Sequence, residues 1–267
     1  MFVAVCFVLS TILVAGYLNS NIPRATHLTV VVEKNAGQLN SLRVAMVSDI
    51  HLGNIYGRKS LARIVNTINE YSPDVVLLVG DIFDGNLEPV IKNDMCAEFN
   101  NLQTKYGAYF ASGNHERIRE REDRNTAIDY LATHGIQPLL DAVILIDSSF
   151  YIVGRKDRST RTRKTIPELL NGIDMQFPVI LLDHQPYNLE EAEQAGIDLQ
   201  LSGHTHNGQM FPLNFITGKI YELDWGFLQK GKTKFYISCG VGTWGPPIRT
   251  AGFSEVVIID LEFDRQF

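Results

Sequence analysis

The chain has 267 residues, 45% of them hydrophobic, enough to bury the core of one mid-sized domain. Its net charge of −6 argues against a general nucleic-acid binder, which needs a broad basic face. Cys6, Cys96 and Cys239 are odd in number and widely spaced; they give neither a disulfide framework nor a zinc-ribbon spacing and read as small buried apolar residues.

Met1 to Leu18 carries no charged side chain, and the first one is Arg24. Eighteen helical residues at ~1.5 Å each span about 27 Å, close to the ~30 Å hydrocarbon core of a bilayer. A cleaved signal peptide would need basic residues before the apolar stretch, and Val14-Ala15-Gly16 is a poor small-x-small site. A buried core helix would show polar residues recurring at helical spacing, and none recur. We therefore expect residues 1–22 to form one transmembrane helix, either single-pass or the last span of a longer protein. Residues 23–41 are expected to be a linker and entry strand, with a hinge at Asn19–Ala25, and residues 42–267 one folded domain. Arg24, Lys34 and Arg43 follow the span, so the positive-inside bias places that domain in the cytoplasm.

Beyond the span, Leu42–Val47, apart from Arg43, and Val75–Val79 are continuous apolar runs, as strands buried on both faces require. Between them Leu61, Ile64, Val65 and Ile68 recur at spacings of three and four, a helix that Tyr71-Ser72-Pro73 ends. Shorter strand-like runs follow at Tyr109–Ala111, Val179–Leu182 and Leu199–Leu201, with further strands at Ala142–Ile146, Phe150–Gly154, Lys234–Cys239 and Glu255–Leu261. Helices are expected at Pro89–Lys105, Glu116–His134, Ile166–Asn171 and Leu189–Gln194. The alternation implies an α/β layered fold. Periodicity alone does not separate a helix-flanked β-sandwich from an open doubly wound sheet.

Five of the apolar runs end in chemistry. The groups are Asp49-Ile50-His51, then Gly80-Asp81-Ile82-Phe83-Asp84, Gly113-Asn114-His115-Glu116, Asp183-His184 and Ser202-Gly203-His204-Thr205-His206. Five of the seven histidines fall in them; only His27 and His134 do not. A lone Gly-Asn-His is more often a turn beside a satisfied histidine than a metal site. All five at strand ends form a ligand set of carboxylate and imidazole that suits Mn, Fe, Co or Zn, and they indicate a two-metal hydrolase.

In this order the groups resemble the motifs D-x-H, G-D-x-x-D, G-N-H-[ED], a lone H and G-H-x-H of the calcineurin-like metallophosphoesterase superfamily, over roughly Arg43 to Leu261. Leu181–Pro186, Ser202–Gln209 and Gly240–Gly245 are similar to its bacterial, membrane-associated phosphodiesterase branch, although Asn207 stands where many of those members carry glycine. The resemblance implies a β-sandwich flanked by helices and a pair of divalent ions, Mn, Zn or Fe. It implies that Asp81 bridges them, that Asp49, His51 and His206 complete one site, and that Asn114, His184 and His204 complete the other. His115 would be the catalytic acid and Asp84 the carboxylate that orients it. The reaction implied is hydrolysis of a phosphomonoester, phosphodiester or pyrophosphate, on a membrane-associated or lipid-linked substrate. Asp183 and Glu116 stay outside the ligand set, because neighbours along an extended chain point to opposite faces.

Two segments are candidates for reading the substrate. Arg155 to Lys164 holds six basic residues against the single acid Asp157, either a solvated loop or a contact for anionic headgroups. In Gly240 to Arg249 the glycines permit close backbone approach, and Arg249 is expected to grip a phosphate. Two other functions compete. Non-catalytic scaffolds of the superfamily, which bind a protein partner, lose ligands, whereas every ligand position is filled here. Serine/threonine protein phosphatases carry an arginine after the second motif, where this chain has Gly85.

Overall fold

The computed structural model describes residues 1–117 and 123–263. In chain order the elements are α1 (Phe2–Asn21), β1 (Arg24–Val32), β2 (Ser41–Val47), α2 (Arg58–Glu70), β3 (Val75–Val79), α3 (Glu88–Lys92), β4 (Ala108–Ala111), α4 (Asp123–Thr133), β5 (Ile136–Pro138), β6 (Ala142–Ile146) and β7 (Phe150–Gly154). They continue with α5 (Ile166–Leu169), β8 (Val179–Leu182), α6 (Leu189–Gln194), β9 (Leu199–Ser202), α7 (Asn214–Ile220), β10 (Gly226–Lys230), β11 (Thr233–Ile237) and β12 (Glu255–Phe263).

The strands form two six-stranded sheets, ordered β1-β12-β2-β3-β4-β5 and β10-β11-β9-β8-β7-β6. The period-two pleat decides which side chains meet. From β2 and β3, Val44, Met46, Val75, Leu77 and Val79 point to the other sheet, where Ile180, Leu182, Leu199 and Leu201 meet them in one dry layer. The alternate residues Ala45, Val47, Val76 and Leu78 cover Leu61, Ile64, Val65 and Ile68 of α2. On the far side, Leu181 and Phe235 pack against Ile166 of α5 and Leu189 of α6. The fold is therefore the helix-flanked sandwich, and the continuous apolar runs are strands covered on both faces.

Three expectations need correction. The helix expected over Pro89–Lys105 breaks after α3, because Asp94 takes a left-handed conformation (φ 45°) and the chain resumes as a 3₁₀ turn at Met95–Asn101. Aspartate tolerates that region better than most residues, and the break lets Met95, Cys96 and Phe99 reach the core. The helix expected over Glu116–His134 begins as a short 3₁₀ turn at His115–Arg117, and α4 covers its second half; residues 118–122 lie outside the described residues.

The expected hinge at Asn19–Ala25 is instead fixed. The Asn19 amide donates to the carbonyls of Arg249 (3.1 Å) and Gly252 (2.7 Å), and Ser20 Oγ donates to the Pro247 carbonyl (2.7 Å). Tyr56 OH donates to the Ser20 carbonyl, and β1 starts at Arg24, paired in parallel with β12 along its whole length. Upstream of Gly16 the side chains of α1 are exposed and apolar apart from Ser10 and Thr11; it is long and apolar enough to cross a membrane.

Candidate metal centre

Parallel pairing of β2, β3 and β4 puts their carboxyl ends on one edge, and parallel pairing of β8 and β9 does the same in the other sheet. The two edges face each other, so the segments that follow these five strands converge. Asp49, His51, Asp81, His204 and His206 all sit in the left-handed region, with φ between 51° and 71°. Such conformations cost ~1–3 kcal/mol each in ordinary residues and persist only where the surroundings impose them. Here the backbone imposes them: Asp49 N–H donates to the Gly80 carbonyl, His51 N–H to the Asp81 carbonyl, and His204 N–H to the Asp49 carboxylate. Gly113 is required because a Cβ there would collide with the Asp81 carboxylate, and Gly203 because one there would strike Asp49. Asn207 also lies in the left-handed region (φ 48°), which asparagine tolerates, so its replacement of glycine keeps the loop shape.

Among the described residues the convergence yields three overlapping clusters whose donor atoms lie within 4.8 Å of one another: Asp49 with His51 and His206; Asp81 with His184 and His204; and His51 with Asp81 and His115. Asp81 belongs to two of them. Burial pushes His51 down to about 3 and His204 to about 4, so both imidazoles are uncharged near neutrality with a lone pair to offer. Burial alone would raise the carboxyls, but neighbouring imidazoles override it. His206 and His184 hold Asp49 well below the usual carboxylate range, and His184 holds Asp81 at about 2.

His184 tests whether a cation fits. Its Nδ1 lies 2.8 Å from the Val79 carbonyl, an acceptor only, so that nitrogen carries the hydrogen. The opposite Nε2 stands 3.1 Å from Asp81 Oδ2 and 3.9 Å from Asp49 Oδ1. A lone pair facing carboxylates needs a positive charge between them. Burial opposes a proton there, yet Asp81 and Asp49 raise His184 well above its ordinary value, which marks a strong preference for a cation at that point. A divalent metal can take the proton's place. Asn114 Oδ1 is buried and has no hydrogen-bond partner among the described residues, a further free oxygen donor on the loop whose His115 N–H donates to Asp81. The residues fit a centre with nitrogen and oxygen ligands.

His115 sits at the rim, partly exposed, with Nδ1 3.7 Å from Asp84 Oδ1 and Nε2 4.0 Å from Asp81 Oδ2. The His115–Asp84 separation exceeds a hydrogen bond, and such contacts in catalytic sites commonly tighten when substrate binds. His51 Nδ1 is 3.9 Å from the same Asp84 oxygen.

The structure overturns the expectation for Arg249. It is fully buried at 0% exposure, and its guanidinium donates to the carbonyls of Cys239 (2.6 Å), Gly242 (2.5 Å) and His206 (3.3 Å). A group enclosed by three carbonyls cannot grip a substrate; it clamps the His206 loop to the Gly240 loop. Three of the six basic residues in the 155–164 segment are likewise committed, while Arg158, Arg161 and Lys164 are exposed. Arg155 and Arg163 both pair with Asp183, and Lys156 pairs with Asp141. Arg158 remains exposed, stacked 4.3 Å over Tyr187, whose ring contacts Tyr221, itself 6.3 Å from His204.

Glu116 carries a role that sequence reasoning missed. Its buried carboxylate accepts the backbone N–H groups of Asp81 (3.0 Å), Ile82 (2.7 Å), Phe83 (3.2 Å) and Gly113 (2.7 Å). It thereby ties the loop after β3 to the loop after β4. Burial and then the Asp81 charge push its carboxyl up to about 7, against the pull of those donors. The sequence signal was an acid adjoining the Gly-Asn-His motif, with nothing to say what it would hold.

A sandwich whose strand ends gather histidines, aspartates and an asparagine defines a metal-dependent hydrolase. Residues 42–208 match the calcineurin-like phosphoesterase family model, and the chain belongs to that family. It is 32% identical over 255 residues to a zebrafish (Danio rerio) protein named transmembrane protein with metallophosphoesterase domain, covering 90% of this chain and 57% of that one. It is also 32% identical over 260 residues to an uncharacterized metallophosphoesterase of Campylobacter jejuni, covering 96% and 68%. Among solved structures it is similar to a purple acid phosphatase from yellow lupin, with TM-score 0.49 and 15% identity, covering 86% of this chain and 55% of that one. The chain thus spans little more than half the length of its vertebrate relative.

Proposed function

We propose that this chain is a dinuclear metal phosphoesterase acting on a membrane-associated or lipid-linked phosphoester. The observation that carries the reading is the His184–Asp81 contact, where an imidazole lone pair faces a carboxylate that also belongs to a second cluster. Asp49, His51, Asp81 and His206 would hold one divalent ion, and Asp81, Asn114, His184 and His204 the other, with Mn, Zn and Fe all suited to such donors. When bound, such a pair supplies a nucleophile at neutral pH and draws charge from the phosphoryl oxygens.

The chain's own residues do the rest. Asp81, buried and ionised, is shared between the sites and is itself held by the His115 N–H. His115, exposed enough to meet substrate, gives a proton to the leaving oxygen from Nε2, with Nδ1 turned toward Asp84. Proton donation of this kind contributes ~10²–10⁴-fold. Arg158, over Tyr187 at the side of the site, is the candidate contact for a substrate anion in place of Arg249. Arg24, Lys34 and Arg43 support a cytoplasmic face.

The test is a panel of bis-p-nitrophenyl phosphate, p-nitrophenyl phosphate and lipid-linked pyrophosphates, assayed with Mn, Zn and Fe before and after chelation. Activity should need metal, and Asp81→Asn should abolish it while the circular dichroism spectrum is kept. Undiminished hydrolysis by chelated protein refutes the reading.

A further inference from the structure

α7 buries none of its side chains, which is unusual for a helix rich in aromatic and branched residues. Phe211 just before it, and Phe215, Ile216 and Ile220 within it, are each more than half exposed, and the Phe211 and Phe215 rings contact each other at 5.7 Å. Trp244 in the neighbouring loop is also exposed. Exposed apolar groups gathered this way mark a surface made to meet a partner or a membrane.

The position of this patch decides between them. Gln209 ties the two segments: its side chain exchanges hydrogen bonds with the Trp244 backbone at 3.0 Å, and its carbonyl accepts the N–H groups of Thr250 and Ala251. Phe211 N–H donates to Thr250 Oγ1 (2.9 Å). The same 244–250 loop lies flat on α1: Arg249 N–H donates to the Gly16 carbonyl (3.0 Å), and a Cβ on Gly16 would come within 2.7 Å of Ile248. At this contact α1 has not reached its polar end. Tyr17, Leu18 and Ile22 are still exposed to the outside, and the first charge follows only at Arg24. Gly16 precedes Leu18 by two residues, ~3 Å along the axis. Wherever α1 meets hydrocarbon, the loop beside Gly16 lies at a comparable depth.

Charge agrees. Between Asn207 and Tyr221 the only charged residue is Lys219, and between Cys239 and Phe253 the only one is the buried Arg249. A chain of net charge −6 thus keeps every carboxylate off these two segments. Anionic headgroups would repel carboxylates and accept a lysine.

We propose that Phe211, Phe215, Ile216, Ile220 and Trp244 form a bilayer-inserting platform continuous with α1, so that the catalytic domain is seated in the interface rather than hung from a tether. This rests on α1 being a membrane helix. α7, which carries most of the platform, ends at Ile220 next to Tyr221, whose ring is 6.3 Å from His204, so the platform holds the mouth of the site at the level of the headgroups. A phosphoester in a lipid headgroup reaches the site without leaving the bilayer.

The full chain carrying Cys6→Ala, with Cys96 and Cys239 buried, accepts a nitroxide at a single introduced cysteine. Phe215→Cys, Leu9→Cys in α1 and Leu145→Cys on the edge strand β6 are labelled and reconstituted in mixed phosphatidylcholine–phosphatidylglycerol vesicles. Power saturation then compares collisions with oxygen, which concentrates in lipid, and with a water-soluble nickel chelate. The label at 215 should match the one at 9, oxygen dominating, and differ from the one at 145. A water-like profile at 215 beside a lipid-like one at 9 overturns the platform alone. A water-like profile at 9 overturns the membrane reading of α1 and the platform with it. Shielding of 215 from both reagents overturns the proposal in favour of protein: with dipolar broadening between labels the cover is a second copy, and without it another chain.

Discussion

Replacing Glu116 with alanine removes one acceptor group and leaves four buried donors facing a void, the N–H groups of Asp81, Ile82, Phe83 and Gly113. A buried donor left without a partner costs ~1–3 kcal/mol. One water entering the vacated space can accept from two of them, which leaves two unpaired and a loss of about 2–6 kcal/mol. Against a total stability of ~5–15 kcal/mol this is a large fraction. At ~2–4 °C per kcal/mol for a domain of this size, the melting temperature should fall by roughly 5–20 °C. Because the same carboxylate fixes the backbone of Asp81 and the loop bearing Asn114, metal affinity should fall as well. Glu116→Gln keeps one oxygen acceptor but turns an amide N–H₂ toward two donors, so it should fall between the two. Scanning calorimetry of the metal-free proteins and metal analysis after dialysis check both effects. A Glu116→Ala melting temperature within ~2 °C of the parent, with full metal retention, would refute the anchoring role.

Arg249→Lys should lower metal retention and kcat with little change in KM, since Arg249 positions the His206 and Gly240 loops; a raised KM at unchanged kcat would mean that it touches substrate after all. His115→Ala should keep its metal yet lose ~10²-fold or more in turnover, most for alkyl esters and least for p-nitrophenyl esters, as titration of leaving-group pKa would reveal. An equal loss across all leaving groups, or an emptied site, ends the acid assignment. Truncation through Ala15 should yield soluble protein that hydrolyses a chromogenic diester. Truncation through Asn21 also strips the Asn19 and Ser20 hydrogen bonds and should cost about 2–4 kcal/mol by denaturant titration. Equal stability of the two truncations would show that the end of α1 is a free linker.

What the sequence made legible followed from local pattern. β3 and the second half of β2, from Val44, are uninterrupted apolar runs because helices and a second sheet cover both faces, and α2 repeats its apolar residues at helical spacing. The histidines and aspartates were found because each follows a strand directly. Arg249 was misread because charge beside glycines suggests an exposed loop, whereas its burial depends on three carbonyls brought together from His206, Cys239 and Gly242. Glu116 was invisible for the same reason: its partners are backbone groups up to 35 residues away. α7 and β10 gave no signal, since α7 turns its apolar side chains outward and β10 is only partly covered. The local break at Asp94 was decided by core packing rather than by any proline or glycine.

The central claim is a pair of metal ions sharing Asp81. Crystals of manganese-loaded protein, measured at a wavelength where manganese scatters anomalously, test it most directly. Two peaks ~3.5–4 Å apart are expected on either side of the Asp81 carboxylate, one reached by Asp49, His51 and His206 and the other by Asn114, His184 and His204. Both should vanish in Asp81→Asn crystals soaked at the same concentration. A single peak in the parent protein, or two that do not share Asp81, contradicts the claim.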